Sequence, residues 1–422
     1  MKVCHRKLRN SVFFLALLAI RSPSIFGIKW LAIHKISAPN PIQPQCPKNK
    51  EQRKELGMLT TQARLCRKMP ALMPVVTNAA RYAVHTCQGV FENRRWNCSS
   101  VNFAPKLKPD LTKGTKEQAF VYALSAAAVT HQIAKACATG ELGSHCTCGY
   151  GDSTAVTAEM GSVAPNVEDT YKWKGCSDNL LFGKQLSREW TDSAWRRVHS
   201  ATFNTNDYAI KGGVQRRGLL FGRKRNIQSN GNGFMDGDVS TYFVEGITSR
   251  TLGPKARMNQ HNSDVGRQIT EQSLYRKCKC HGVSSSCDVR TCWYTLPPLE
   301  QIADRIKERY SSAQMINQLY PDDVKIDTRS LRMTADSKHE LVFIKSSPDY
   351  CEENSELGSP GTNMRECNVT SIGPDSCESL CCGRGFNTQQ IRVEEQCHCK
   401  YVHCCYIKCK RCAYVLDKHY CK

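Results

Sequence analysis

The stretch CKCHGVSSSCDVRTCW, from Cys278 to Trp293, decides the architecture of this chain. Its four cysteines can nest as two rungs of a hairpin, Cys280 with Cys287 inside Cys278 with Cys292. The tip left by this arrangement, His281 to Ser286, is polar, with one glycine and three serines, a composition that suits a turn. The residues alone therefore predict a rigid, protruding hairpin that displays hydroxyl groups beside a bridge.

The cysteine content indicates an oxidising compartment. A chain of 422 residues can hold two or three domains without disulfide support, yet it contains 25 cysteines. At the N-terminus, a basic segment precedes the nine-residue apolar run VFFLALLAI (Val12 to Ile20), as in a signal peptide. A signal anchor is the alternative, but this run falls short of the roughly 20 apolar residues that span a bilayer. We therefore expect residues 1–24 to be removed and the protein to reach the extracellular space and matrix.

Removal of this segment leaves an even number of cysteines on a basic protein. Cys4 departs, so 24 cysteines remain, enough for twelve bridges, and the loss of five basic residues lowers the formal charge from +21 to about +16. Such a charge attracts sulfated glycosaminoglycans through the physics that draws basic proteins to nucleic acid. A solvated basic surface explains the charge equally well. Secretion argues against nucleic acid, which leaves heparan sulfate proteoglycans as the expected polyanionic partner.

Apolar periodicity predicts helices in the first three quarters of the chain. Residues from Leu72 to Val84 recur at helical spacing, and Thr115 with Gln118 forms a capping box before an uninterrupted run that ends at Gly140. Two further helices are predicted, at about 263–274 and, after a pair of prolines, at 299–310.

The distribution of cysteines draws the domain map. None lies between Cys176 and Cys278, and twelve lie from Cys351 onward. We therefore predict an α+β fold: a helical N-terminal domain over 46–320 carrying the hairpin at 278–293, which we call the thumb; a linker over 321–350, with a short strand at 340–344; and a cysteine-rich β-hairpin domain over 351–422, which we call the finger domain.

Residues 212–253 differ from both predicted domains. They are rich in Gly, Asn, Arg and Ser and contain no cysteine, which predicts an exposed loop or a disordered insert. A basic processing site at Arg225 is the alternative for part of this segment. It is disfavoured because Gly222 occupies the place where such a protease prefers arginine.

The thumb sequence is similar to the Wnt-family signature CKCHGxSGSC, and six other segments follow that family in order. They are RRWNCSS (Arg94 to Ser100), FVYALSAAAVTH (Phe120 to His131), CSDN (Cys176 to Asn179), SSPDYC (Ser346 to Cys351), CCGRGFN (Cys381 to Asn387) and CHCKYVHCCYIKC (Cys397 to Cys409). The likeness covers roughly 52–190 and 259–422. The chain therefore resembles a secreted Wnt signalling ligand, and its helix and CCGRG segments are most similar to subgroup eleven of the family.

The resemblance implies that Ser286, the serine directly before Cys287, carries a monounsaturated palmitoleoyl ester. The acyltransferase Porcupine attaches this group in the endoplasmic reticulum, and no other cofactor is expected. The family usually has glycine where this chain has Ser285, so the turn is expected to be stiffer, and the Ser285 hydroxyl competes as acceptor. The residues alone leave open that these serines only satisfy turn backbone.

The resemblance also implies a receptor. The acyl chain is expected to enter the extracellular cysteine-rich domain of a Frizzled receptor, with a co-receptor and a lipid-recognising secretion carrier as further partners. His403 stands where relatives usually carry tryptophan, which predicts a weaker or pH-sensitive contact at the finger tip. The expected receptor-contacting residues are His281, Gly282, Val283 and Ser286 in the thumb and Tyr401, Val402, His403, Cys404, Cys405 and Tyr406 in the finger domain.

A set of disulfide bonds follows from the same resemblance. One pair is unusual, because the Cα atoms of adjacent cysteines lie about 3.8 Å apart across a trans peptide, below the usual disulfide range. In the finger domain the implied pairs are Cys351–Cys382, Cys367–Cys377, Cys381–Cys421, Cys397–Cys412, Cys399–Cys409 and the vicinal Cys404–Cys405. In the helical domain they are Cys278–Cys292 and Cys280–Cys287 in the thumb, Cys87–Cys98, Cys137–Cys146 and Cys148–Cys176, with Cys46–Cys66 as the remaining pair.

Two sequons are candidate N-glycosylation sites. Asn97 (NCS) and Asn368 (NVT) lie in surface-type, cysteine-bounded segments of a chain predicted to be secreted. Unused sequons are the alternative, more so at Asn97, because Cys98 lies within its motif.

Three other classes of protein compete with a ligand. The spacing of Cys397, Cys399, Cys409 and Cys412 approaches that of a zinc module, but the secretory route argues against free thiolates. A hydrolase using Ser286 with His281 lacks a G-x-S-x-G elbow and an evident acidic orienting residue. A structural matrix protein would show repeats, and the sequence has none. We therefore expect a ligand, with no catalytic or metal-binding residues.

Overall fold

The computed structural model describes residues 27–36, 46–149, 173–195, 254–316 and 339–422. The predicted signal peptide (1–24) and the predicted insert (212–253) lie outside the described residues, as does the first part of the predicted linker. Within the described residues, no helix is long and apolar enough to cross a membrane.

Eight α-helices and ten strands are named here in chain order. The helices are α1 (Lys50–Glu55), α2 (Thr60–Lys68), α3 (Leu72–Val90), α4 (Lys116–Thr139), α5 (Leu180–Thr191), α6 (Pro254–Gln272), α7 (Leu299–Ser311) and α8 (Cys377–Leu380). The strands are β1 (Trp173–Lys174), β2 (Tyr275–Cys280), β3 (Arg290–Thr295), β4 (Gln314–Met315), β5 (Val342–Phe343), β6 (Glu353–Asn354), β7 (Ser359–Pro360), β8 (Glu366–Cys367), β9 (Phe386–Val402) and β10 (Tyr406–Cys421). The α+β class is confirmed, with seven helices before the finger domain and one within it.

Helix α4 is the centre of the N-terminal domain. The Thr115 hydroxyl caps it by accepting the N–H of Gln118 at 3.2 Å, and the Gln118 side chain accepts the N–H of Gly114 at 2.7 Å. The helix ends at Gly140, whose φ of +79° is the left-handed conformation that glycine adopts freely. It is apolar on all sides and therefore buried among α3, α5, α6 and α7. On α6, a Cβ at Gly266 would overlap the Ala123 carbonyl, so glycine permits the close packing of these two helices.

Helix α6 begins nine residues earlier than the apolar periodicity predicts, at Pro254 rather than at about 263. Its first turns bury mainly polar side chains, with Met258 as the buried apolar one. Asn259 accepts a hydrogen bond from Gln118 Nε2 at 2.9 Å, and Asn262 exchanges two hydrogen bonds with the backbone of Val342 at 2.9 Å each. These hydrogen-bonded side chains join the helix to α4 and to β5, the strand predicted at 340–344. Because the buried positions are mostly polar, apolar spacing did not predict this part of the helix.

A short segment preceding the predicted domain start belongs to the core. Residues 29–35 form a 3₁₀ helix in which Trp30 and Ile33 are completely buried. Trp30 packs edge-to-face on Trp190 with ring centroids 6.0 Å apart, and the N–H of Gly27 donates to the Tyr122 hydroxyl at 2.8 Å. The boundary predicted at residue 46 therefore omits part of the helical domain. The segment was missed because it is short and follows closely after the apolar run of the signal peptide.

The finger domain has a very small apolar core, consisting of Leu380 and four cysteines of its bridges, Cys367, Cys377, Cys381 and Cys421. Strands β9 and β10 pair antiparallel over almost their whole length, and β8 adds to the base of β10. We call β9 and β10 with their connecting turn the finger hairpin. The bridges thus take the place of a larger core, as the twelve cysteines from Cys351 onward predict.

Arginine side chains join the two domains by binding backbone carbonyls. Arg365 of the finger domain donates to the carbonyls of Arg95 at 2.9 Å and Glu92 at 2.6 Å. Arg95 in turn donates to the Ser379 carbonyl at 2.9 and 2.7 Å. The two guanidinium groups therefore bind in opposite directions across the boundary between the domains, which we call the seam.

Two buried carboxylates lie beside this seam. Asp110 accepts the indole N–H of Trp96 at 2.9 Å, its backbone N–H reaches the Leu357 carbonyl at 3.4 Å, and burial raises its pKa to about 6. Glu117 accepts hydrogen bonds from Tyr310 at 3.0 Å and Ser347 at 2.8 Å. The seam is therefore acidic inside, and protonation of Asp110 removes a buried charge from it.

Candidate functional site

The base of the thumb is anchored to the helical core through Asp178. Its Oδ2 accepts hydrogen bonds from the Leu296 N–H at 2.7 Å, the Thr295 hydroxyl at 3.0 Å and the Lys135 ammonium at 3.3 Å. Lys135 belongs to α4, so one buried carboxylate joins the hairpin to the central helix. Asp178 lies in the CSDN segment, to which the sequence analysis assigned no role.

The thumb strands converge on two bridges. Strand β2 pairs antiparallel with β3 so that Cys278 lies opposite Cys292, and these two cysteines are joined. The second bridge, Cys280–Cys287, closes the tip. On the other edge of β3, strand β1 pairs in parallel. The hairpin is therefore braced covalently within and just below its tip.

Backbone hydrogen bonds fold the tip into a compact turn. The N–H of His281 donates to Val289 at 2.7 Å, that of Gly282 to Ser286 at 2.9 Å, and that of Ser286 to Val283 at 3.1 Å. A Cβ at Gly282 would overlap the Ser286 hydroxyl and lie 2.6 Å from its carbonyl oxygen. Only glycine fits at 282 while Ser286 keeps this position.

The three serines of the tip have different environments. Ser284 and Ser285 are exposed and adopt left-handed φ angles of +53° and +64°. A residue with a Cβ pays roughly 1–2 kcal/mol for that conformation, so the serine at 285 costs energy where a glycine would not. Ser286 is half-buried, with an ordinary φ of −61°, and its hydroxyl donates to Asp288 Oδ2 at 2.7 Å.

None of the other predicted thumb residues, His281, Gly282 and Val283, hydrogen-bonds this hydroxyl. Val283 is 90% exposed, which makes it the most exposed large apolar side chain of the thumb. His281 Nε2 lies 3.0 Å from the Thr291 hydroxyl. The group that accepts the hydrogen bond from the Ser286 hydroxyl is thus the carboxylate of Asp288, a residue that the sequence analysis did not consider. The sequence signal for this contact was that Asp288 follows Ser286 by two residues, with the bridged Cys287 between them.

The finger tip is an exposed turn between two long strands. Tyr401 lies opposite Ile407 and Val402 opposite Tyr406, and the exposed fractions of Tyr401, Tyr406 and Ile407 are 72%, 59% and 66%. His403 and the joined pair Cys404–Cys405 form the turn, with a left-handed φ of +93° at Cys404. The predicted tip residues therefore lie together at one end of the hairpin, and Val402 alone among them is half-buried.

Twelve disulfide bonds join the 24 cysteines of the described residues, and the pairs are the ones that the resemblance implies. In the helical domain they are Cys46–Cys66, Cys87–Cys98, Cys137–Cys146, Cys148–Cys176, Cys278–Cys292 and Cys280–Cys287. In the finger domain they are Cys351–Cys382, Cys367–Cys377, Cys381–Cys421, Cys397–Cys412, Cys399–Cys409 and Cys404–Cys405. Sulfurs held in bridges cannot serve as thiolate ligands, which removes the support for a zinc module.

The two sequons differ in accessibility. Asn368 is exposed, and its Oδ1 accepts hydrogen bonds from the Thr370 N–H at 3.0 Å and hydroxyl at 2.8 Å. Asn97 is half-buried beside the fully buried Cys98. The geometry favours Asn368 as a glycan acceptor.

The chain thus combines a helical domain with a small cysteine-rich domain, and each domain presents a hairpin braced by disulfide bonds, an architecture that defines a class of disulfide-rich two-domain protein. The sequence matches the model of the Wnt family over residues 54–224 and 231–422, and the chain therefore belongs to the Wnt family. It is 37% identical to Wnt-11 of Gallus gallus over 97% of this chain and 98% of the relative. It is 38% identical to Wnt-11b-1 of Xenopus tropicalis over 87% of both chains.

Among solved structures, a similar chain is found in human WLS in complex with WNT8A. The likeness has 26% sequence identity and a TM-score of 0.48, over 83% of this chain and 94% of that chain. The family assignment confirms the expectation of a Wnt-type signalling ligand, and the Wnt-11 relatives agree with the resemblance to subgroup eleven.

Proposed function

We propose that this protein is a secreted, lipid-modified glycoprotein that activates Wnt signalling in development by binding the cysteine-rich domain of Frizzled receptors. Ser286 carries a palmitoleoyl ester, and the thumb presents the acyl chain to the receptor. The finger tip makes a second contact, and a co-receptor completes the signalling complex.

The observation that carries this proposal is a hydroxyl held at a braced tip. Ser286 lies between the bridge Cys280–Cys287 and the turn at Gly282, with four backbone hydrogen bonds closing the turn around it. A preorganised tip reduces the ordering cost of binding. Val283, almost fully exposed beside it, adds apolar surface that a lipid-binding groove would cover.

An acyl chain supplies the affinity that such a small tip lacks. At about 0.8 kcal/mol per buried methylene, a long chain contributes on the order of 10 kcal/mol when it is fully buried. One chain holds a protein to a membrane only reversibly. This supports a sequence of lipid handovers: Porcupine attaches the chain, a lipid-recognising carrier takes the protein out of the cell, and the receptor receives it.

The finger hairpin supports the remaining contacts. Tyr401, Tyr406 and Ile407 offer exposed apolar surface at the tip, while His403 offers less apolar area than the tryptophan usual in the family. Lys400 lies directly opposite Lys408, and Lys410 and Arg411 follow on the same hairpin, all exposed. This cationic cluster supports binding to heparan sulfate proteoglycans at the cell surface and in the extracellular matrix.

A ligand fits the tip chemistry better than an enzyme. Ser286 donates to Asp288, while His281 lies against Thr291, so the serine and the histidine of the thumb are each engaged with another residue. A hydrolase that used Ser286 with His281 would need the histidine as base on the serine hydroxyl, and His281 is not hydrogen-bonded to it. The site therefore has the features of a modification site.

The decisive experiment compares Ser286→Ala with Ser284→Ala in the full-length secreted protein. Because the acyl chain dominates the affinity, Ser286→Ala is expected to reduce binding to a purified Frizzled cysteine-rich domain below detection, whereas Ser284→Ala retains it. Biosensor titration measures the affinity, and mass spectrometry of the thumb peptide measures the modification. A non-reducing peptide map verifies that both variants keep their bridges. Active secreted protein with an unmodified Ser286 would contradict the proposal.

A further inference from the structure

Three consecutive hydroxyl groups lie at the thumb tip, and exposure alone does not favour Ser286. Ser284 and Ser285 are exposed, whereas Ser286 is half-buried against Gly282. A transferase that selected the most accessible hydroxyl would acylate Ser284 or Ser285. Another feature of the tip must therefore distinguish Ser286.

Asp288 supplies this distinction. Its Oδ2 accepts a hydrogen bond from the Ser286 hydroxyl at 2.7 Å, and in the part of the chain that the structure describes the hydroxyls of Ser284 and Ser285 have no such carboxylate partner. A hydrogen bond to an ionised carboxylate is roughly twice as strong as one between neutral groups. The bond therefore fixes the Ser286 rotamer and directs its proton toward Asp288.

The covalent frame keeps this pair in register. Cys287 lies between the two residues, and its bridge to Cys280 ties their backbone to the opposite strand. The N–H of Ser286 is bound to Val283 at 3.1 Å and its carbonyl accepts from Gly282 at 2.9 Å. The backbone of Ser286 therefore cannot move without breaking these contacts, and the bridge at Cys287 limits the movement of Asp288 beside it.

We propose that Asp288 is a positioning residue that directs acyl transfer to Ser286 rather than to Ser284 or Ser285. The inference rests on the proposed acylation. In the transfer, Ser286 Oγ attacks the carbonyl carbon of a long-chain acyl thioester, the ester C–O bond forms and the C–S bond breaks. The hydroxyl proton ends on the departing thiolate, which leaves as a thiol; Asp288 only orients the hydroxyl and is unchanged, and no electrons are exchanged with an oxidant.

The test compares acylation at the three serines within one peptide. Reduction and trypsin release residues 280–290, which contain all three, and fragmentation assigns the acyl group. Asp288→Ala is expected to lower the ratio of acyl on Ser286 to acyl on Ser284 and Ser285 about tenfold, because a bond to a charged acceptor is lost. Asp288→Asn keeps an acceptor without the charge and lowers the ratio less. Asp417→Ala, at an exposed aspartate of the finger hairpin, serves as control and leaves the ratio unchanged.

The ratio separates positioning from folding. It is internal to one peptide and is read in both cell-retained and secreted full-length protein, so a lower yield of a variant does not alter it. An unchanged ratio in Asp288→Ala, with wild-type protein acylated on Ser286, overturns this inference and leaves the proposed function intact. A wild-type protein without acyl on Ser286 overturns the proposed function and this inference with it.

Discussion

The thumb and the finger hairpin are both braced by disulfides, but they reach rigidity by different means. The thumb strands have six residues each, the turn is closed by backbone hydrogen bonds, and Asp178 fastens the base to α4. The finger strands have 17 and 16 residues, so the hairpin extends roughly 50 Å, and most of its residues are exposed.

This difference shows what the disulfide bonds contribute in each hairpin. An isolated two-stranded hairpin is marginally stable in water, and the finger hairpin has neither a covering layer nor a large core. Its bridges therefore hold the fold itself. The thumb already rests on a packed helical domain, so its bridges mainly fix the conformation of the tip.

The sharpest test of this contrast removes the bridge at the thumb tip in one variant and, in another, the bridge that joins the base of the finger hairpin to Cys381, directly after α8. Chain-entropy arithmetic gives about 4 kcal/mol for Cys381→Ala with Cys421→Ala and about 2 kcal/mol for Cys280→Ala with Cys287→Ala, because the loops span 40 and 7 residues. The finger pair also lies fully buried, so a cavity adds to its cost. Urea denaturation of the two double variants measures both losses. Equal losses, or a larger one in the thumb, would remove the contrast.

A change of pH is expected to give the next largest effect, at the seam between the domains and not in the thumb. Burial raises the pKa of Asp110 to about 6. Between about pH 4 and pH 6, the folded protein therefore keeps a proton on this carboxyl that the unfolded chain has already released. Stability from this group is therefore present at low pH and is lost as the pH rises through 6, by about 3 kcal/mol at most.

The measurement is hydrogen exchange at pH 5.5 and 7.5 in the wild-type protein and in Asp110→Asn. Protection of the seam around Leu357 should be greater at the lower pH in wild type, after correction for intrinsic exchange rates. Asp110→Asn should abolish that difference, because an amide does not titrate, and amides of the thumb should not respond in either protein. A pH response that persists in Asp110→Asn would assign it to another group.

The smallest expected effect concerns the thumb tip alone. Ser285→Gly removes a Cβ from a residue whose φ is +64°, so the tip should gain up to about 1 kcal/mol, partly offset by the greater freedom of glycine in the unfolded chain. Local hydrogen exchange of the tip amides measures the gain, and Ser284→Gly, at φ +53°, is the matched comparison. Faster exchange in Ser285→Gly would show that the serine stabilises the turn.

The elements that the sequence predicted correctly are those marked by residues close to one another in the chain. Helix α4 was predicted to within a residue because its cap at Thr115 and its glycine at 140 are local chemistry. The start of α6 was not, because Asn259 and Asn262 are buried through contacts with distant residues. The core segment around Trp30 was missed for a similar reason: its burial depends on Trp190, far along the chain.

The candidate site was predictable in outline. The nested cysteines gave the hairpin from spacing alone, whereas most of the other pairs came from the resemblance. The adjacent Cys404 and Cys405 contradict the usual Cα separation, so residue geometry would have assigned them elsewhere. The hydrogen bond from Ser286 to Asp288 depends on the rotamers of a folded turn, which no pattern of residue types specifies.

The fit of Gly282 against Ser286 has a consequence for mutational scanning of the thumb. Because a side chain at 282 overlaps the serine and its carbonyl, the two positions form one unit in any substitution series. An alanine at 282 displaces the hydroxyl, so a loss measured for that variant includes the displacement of Ser286. Epitope maps of this tip gain in accuracy when the two substitutions are combined and their energies compared for additivity.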